Sequence, residues 1–189
     1  MPTWAIITLI IVGVVILLVA IIAGMYNSLV KLNERVEEAW SDITVQLKRR
    51  ADMLPNLAET VKGYAKHEKE IFENLAESRS KMMGARTVQS VAEADRSMLG
   101  TLSRIMAIAE NYPELKADKN FQSLMSEIRD TEDKVGASRR FYNAGAKDLN
   151  TKIKIFPFNI LFHSFKVREY YNVDEKEFDR IEKAPDIKF

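Results

Sequence analysis

The first 30 residues carry no charged side chain, and from Trp4 to Met25 only Thr8, Gly13 and Gly24 interrupt a run of Ile, Val, Leu, Ala, Met and Trp. At about 1.5 Å per residue this run makes roughly 33 Å of helix, enough to cross a bilayer core of about 30 Å. A helix apolar on every side has no stable place in water, so the sequence predicts a transmembrane anchor. A cleaved signal peptide would need a basic start, an apolar stretch of about 7–15 residues and a small-x-small cleavage site. Met1-Pro2-Thr3 has no base, the run is too long, and the small residues near its end read Ala20-Ile-Ile-Ala23. The anchor is therefore expected to stay. Lys31 and Arg35 follow the span and no cation precedes it, which places the remaining chain in the cytoplasm by the positive-inside rule. Ala20-xxx-Gly24 is a small-xxx-small spacing that lets two such helices approach closely.

All 28 Lys and Arg and all 27 Asp and Glu lie from Lys31 onward, so 55 charges fall in 159 residues, well above the roughly 25% usual in globular domains. The two signs balance to a net +1, which gives no electrostatic basis for binding nucleic acid. With no cysteine, disulfides, thiolate chemistry and Cys-ligated metals are excluded.

Within this charged part, apolar residues recur three and four apart, the period of one helix face. The first stripe is Leu29, Leu32, Val36, Ala39, Ile43 and Leu47. No proline separates it from the span, so the two read as a single rod of about 50 residues that breaks at Pro55. A second stripe follows through Leu57, Val61, Tyr64, Ile71, Leu75 and Met82. Ser90-Val-Ala-Glu93 has capping-box spacing and opens a third, Val91 to Tyr112, stopped by Pro113. After a polar linker from Glu114 to Asn120, the fourth runs from Phe121 to Leu149. Short joins set successive helices side by side and antiparallel. The expected fold is all-α: an anchor in residues 1–28, an up-and-down four-helix bundle in 29–151, and an aromatic-rich tail in 152–189. With an even number of helices the tail returns toward the membrane. Its segment Ile155 to Phe165 (IFPFNILFHSF) holds no charge and is too short to span. Three readings stay open for it: a plug over the end of the bundle, an insertion into the membrane interface, or a contact between subunits. Val173 to Phe189 reads as a solvated tail with one further short helix.

Groups for chemistry are few. His67 and His163 are the only histidines, neither has a Glu three residues before it, and no Gly-rich phosphate loop or nucleophile elbow is present. Glu37 with Glu38, and Glu70, fall outside the stripes. Glu68 falls on the second, where a buried carboxylate needs a partner; a structural hydrogen bond or ion pair is the expectation, and a metal site around it the alternative. Lys48-Arg49-Arg50 and Arg139-Arg140 read as exposed cations favoured by helix dipoles.

Tyr26-Asn27, Asn33 and Trp40, then Gln46-Leu-Lys-Arg-Arg-Ala-Asp-Met-Leu-Pro-Asn-Leu57, Val61-Lys-Gly-Tyr-Ala-Lys-His-Glu68, Ala109-Glu-Asn-Tyr-Pro-Glu-Leu115 and Arg139-Arg-Phe-Tyr-Asn143 through Phe156-Pro157 resemble the bacterial LemA family over nearly the whole chain, in order. The resemblance implies a helical bundle behind an N-terminal anchor in the bacterial inner membrane. The family has no established catalytic set, so no catalytic, cofactor-binding or metal residue is assigned. Two departures stand out. Family members often carry a Gly-containing loop after the position of Asn159, whereas this chain has no Gly there and is about two residues shorter. Some relatives carry a lipoprotein Cys near the position of Gly24, which places their bundle outside the membrane. The expected function is a non-enzymatic, self-associating membrane scaffold whose partners are the lipid bilayer and further copies of itself. The alternative is an adaptor that presents Arg139-Arg140-Phe141-Tyr142 to a membrane protease or signalling protein.

Overall fold

The computed structural model describes residues 2–172, all helix and connecting segments with no strand among them. The helix expected in the last stretch, 173–189, lies outside the described residues. Helix α1 spans Thr3–Tyr64, α2 Lys69–Gly84, α3 Val88–Asn111, the short α4 Pro113–Ala117, α5 Lys119–Lys154 and the single-turn α6 Phe158–Leu161.

The rod is longer than the sequence predicts. α1 runs 62 residues, about 93 Å, through Pro55 without ending. A proline inside a helix costs about 3 kcal/mol by removing a hydrogen bond and crowding the preceding turn. Here Pro55 faces solvent, while Met53, Leu54, Leu57 and Val61 are buried around it. Each fully buried side chain of that size is worth about 1.5–3 kcal/mol, so burial carries the helix past the break. The chain turns instead at Ala65 to Glu68, inside the predicted second stripe. A second correction concerns the start of α3. Its capping box is formed by Thr87, whose hydroxyl accepts from the Ser90 N–H, while the Ser90 hydroxyl accepts from the Thr87 N–H; the predicted Ser90/Glu93 pair lies one turn too late. The predicted stop at Pro113 is observed, with Pro113 opening α4 and Leu115 buried in what read as a polar linker. Asp118 caps α5 by accepting from the Phe121 N–H, which holds its carboxyl below the usual range.

α5 packs along α1 in constant antiparallel register: Thr131 meets Arg50, Tyr142 meets Trp40, Gly145 meets Val36 and Lys152 meets Ser28. α2 and α3 pair with each other, and their turn at Met82 to Val91 lies against Trp40, Thr44 and Leu47 of α1. They therefore cover only the membrane-distal part of α1, and below Trp40 another piece of chain takes their place.

Candidate functional site

That piece is the segment after α6. From His163 to Asn172 the chain forms no helix and runs back along α1 and α5 as a strap. Phe165 and Arg168 are half-buried and Tyr171 is buried, so every third residue faces the bundle, the period of a polyproline-like ribbon. Two asparagines on α5 clamp it. The Asn150 side chain donates to the Arg168 carbonyl and accepts from the Arg168 N–H, each at 2.8 Å. The Asn143 side chain does the same for Tyr171, at 3.1 and 2.8 Å. Seven helical residues rise about 10.5 Å and three ribbon residues about 9–10 Å, so the two spacings match and both amides are satisfied at once. The Tyr142 hydroxyl donates to the Glu169 carbonyl, and the Arg168 guanidinium reaches Asn33 and Glu37 on α1.

The strap ends on a buried ion pair. Arg50 is fully buried; its Nη1 donates to Asp95 Oδ1 on α3 at 2.6 Å and its Nε to the Thr131 hydroxyl on α5 at 3.1 Å. The Tyr171 hydroxyl donates to the other Asp95 oxygen at 3.1 Å. Four segments of the chain meet on these side chains. Burial pushes the Asp95 carboxyl up, opposed by the Arg50 charge, the Tyr171 hydroxyl and the Arg139 charge. The Tyr171 phenol is pushed well above its ordinary value by burial and by the Asp95 charge beside it. An arrangement that is buried and internally hydrogen-bonded is a structural lock.

Residues singled out in the sequence are dispersed. His67 and His163 are exposed. Glu68 is half-buried at the start of α2, where it accepts a long, 3.5 Å hydrogen bond from the Tyr112 hydroxyl. Glu70 stands 3.6 Å from Arg104. No three His, Asp or Glu side chains converge as a metal ligand set among the described residues. Lys48 and Arg49 are exposed as expected, with Arg49 near Glu127 and Asp130, but Arg50 is not, and α1 has no end there for a dipole to act. The signal was available: Arg50 falls three after Leu47 and four before Leu54, on the apolar stripe itself. Arg139-Arg140-Phe141-Tyr142 is divided by the turn of the helix, with Arg140 and Phe141 outward and Tyr142 buried.

An open cleft of about 640 Å³ lies between the strap and the α2–α3 turn, lined by Asn33, Glu37, Trp40, Arg86, Tyr142 and Arg168 among others. Several residues of the strings that resemble a known family hold the strap. Tyr26 stacks its ring 5.9 Å from those of Phe162 and Phe165, Trp40 packs against Tyr142 and Tyr171, and Asn33 and Asn143 bind it directly.

Comparison with known proteins agrees with these strings. Magnetosome protein MamQ 2 of Paramagnetospirillum magneticum is 24% identical over 185 aligned positions, covering 83% of this chain and 68% of its own length. Protein LemA of Metamycoplasma hominis is 27% identical over 162 positions, covering 85% of this chain and 73% of its own. Residues 39–189 match the LemA family, and the chain belongs to that family.

Proposed function

We propose that the protein is a non-enzymatic helical scaffold, anchored by one span in the bacterial inner membrane with its bundle on the cytoplasmic side, and that it works as a self-association of parallel copies. In this reading residues 1–28 are the anchor, α1, α2, α3 and α5 form an up-down-up-down bundle through 151, and 152–189 are the tail. The supporting observation is on the outer face of α1 and α5. Phe141 is 73% exposed beside a hollow lined by Leu32, Ala39, Ala144 and Gly145, with Arg35, Glu38 and Asp148 at its rim. A Cβ at Gly145 would stand 3.1 Å from Val36 Cγ2, so the two helices approach closely at this level. In a two-fold pair whose axis lies along the membrane normal, each Phe141 stands level with the partner's hollow, and the rim supplies both signs of charge. The Ala20-xxx-Gly24 face of the span favours the same parallel pairing. The relative MamQ 2 is a magnetosome protein by name, which supports a membrane-organising role by analogy only.

Mass measurement of the full chain in mild detergent tests this: wild type exceeds one chain, and Phe141→Glu shifts toward the monomer. A strict monomer at all concentrations contradicts the scaffold. The outward Arg140 and Phe141 favour one second reading, an adaptor, in which crosslinking in cells recovers a heterologous membrane protein at higher yield than a second copy.

A further inference from the structure

The antiparallel register of α1 and α5 fixes where the tail turns. With Tyr142 at Trp40, Gly145 at Val36 and Lys152 at Ser28, continuing the register by three or four residues brings Ile155 and Phe156 level with Gly24 and Met25, the last residues of the apolar span. The turn is tied there: Phe162 and Phe165 pack on Tyr26, and the Lys152 ammonium lies 5.2 Å over the Phe158 ring. These inward rings, Phe158, Phe162 and Phe165, are three of the seven Ile, Leu and Phe side chains from Ile155 to Phe165. The other four stay in the open, Ile155 49%, Phe156 76%, Ile160 60% and Leu161 46% exposed. Around them the charge is of one sign. From Leu149 to Phe165 and on to Arg168 the chain carries Lys152, Lys154, Lys166 and Arg168 and no acid, in a protein whose charges otherwise balance.

We propose that the 155–161 turn is a second membrane contact, with Phe156, Ile160 and Leu161 seated in the interface of the bilayer that holds the span and Lys154 and Lys166 directed at anionic lipid headgroups. This rests on the reading that residues 4–25 cross a bilayer. Aromatic and aliphatic side chains gain by entering the headgroup boundary, and cations beside that boundary are attracted to anionic lipid. The consequence is mechanical. A lone span leaves the rod free to rotate about its own axis, whereas a second contact on one side fixes which face of α1 and α5 looks along the membrane.

The absence of cysteine in the natural chain allows single labels without background. Full-length Phe156→Cys, Ile160→Cys, Leu17→Cys and Val45→Cys, each carrying a bimane fluorophore, are reconstituted in vesicles of phosphatidylcholine and phosphatidylglycerol. Brominated lipid is expected to quench the labels at 156 and 160 strongly, at a shallower depth than the label at 17, while the label at 45 loses emission only to aqueous iodide. Replacing phosphatidylglycerol by phosphatidylcholine lowers lipid quenching at 156 and 160 and leaves that at 17 unchanged. Labels at 156 and 160 that behave like the one at 45 overturn the proposal. Shielding from both quenchers also overturns it and identifies a contact between proteins. Lipid quenching absent at 17 removes the anchor reading, and this one with it.

Discussion

Arg50 is the residue with most at stake in the core. A buried ion pair gains little over well-packed apolar side chains, because both charges lose their water, but breaking one half leaves an uncompensated charge. Arg50 Nη2 has no acceptor among the described residues, so the pair is also incompletely satisfied. Asp95→Ala alone is therefore expected to cost about 3–5 kcal/mol. The triple change Arg50→Met, Asp95→Leu, Tyr171→Phe removes every member together and leaves the Thr131 hydroxyl on its existing acceptor, the Ile128 carbonyl. It is expected to equal the wild type or exceed it by about 1–4 kcal/mol. Chemical denaturation in detergent, followed by circular dichroism, measures both; a triple variant as unstable as Asp95→Ala means the polar contacts themselves stabilise the core. Arg50 and Asp95 were legible as positions, since both lie on apolar stripes, yet not as partners. Their sequence separation is 45 residues, and helix periodicity carries no information about which stripe faces which.

The elements divide by how local their causes are. The span, the stripes and the stop at Pro113 follow from residues within a turn or two of each other, and the sequence reading located them. The break placed at Pro55 failed because a local cost was exceeded by burial against partners distant in sequence. The strap has no local sequence signature for a related reason. Its residues alternate with neither helix nor strand period, and the paired hydrogen bonds that clamp its backbone go to Asn143 and Asn150, whose seven-residue spacing has meaning only once three ribbon residues lie opposite. Each asparagine supplies two hydrogen bonds of about 0.5–1.5 kcal/mol apiece. Asn150→Ala should therefore ease local opening of the strap, read as roughly a tenfold or greater loss of amide hydrogen-exchange protection around residues 168–171, with α1 and α5 unchanged. Equal loss across α5 would show that the asparagine supports the helix pair rather than the strap.

At the scale of the whole molecule, α1 joins what composition separates. The uncharged residues from Thr3 to Val30 and the first stripe of the bundle are one helix, so the orientation of the bundle is that of the span. The tail, clamped to α1 and α5, closes the lower part of the molecule where α2 and α3 do not reach. The proposed self-association through Phe141 and the proposed second membrane contact at Phe156 both require that the rod not hinge at the end of the span. Pulsed-EPR measurement of the distance between spin labels at Ile22→Cys and Val45→Cys, in the full chain in lipid nanodiscs, tests that directly. Both side chains are exposed, and 23 residues of unbroken helix separate them by about 35 Å along the axis. With the labelled chain diluted in an excess of unlabelled chain, so that only distances within one chain are read, the account predicts a single narrow distribution near that value; a broad distribution, or one centred well below it, would contradict a continuous rod.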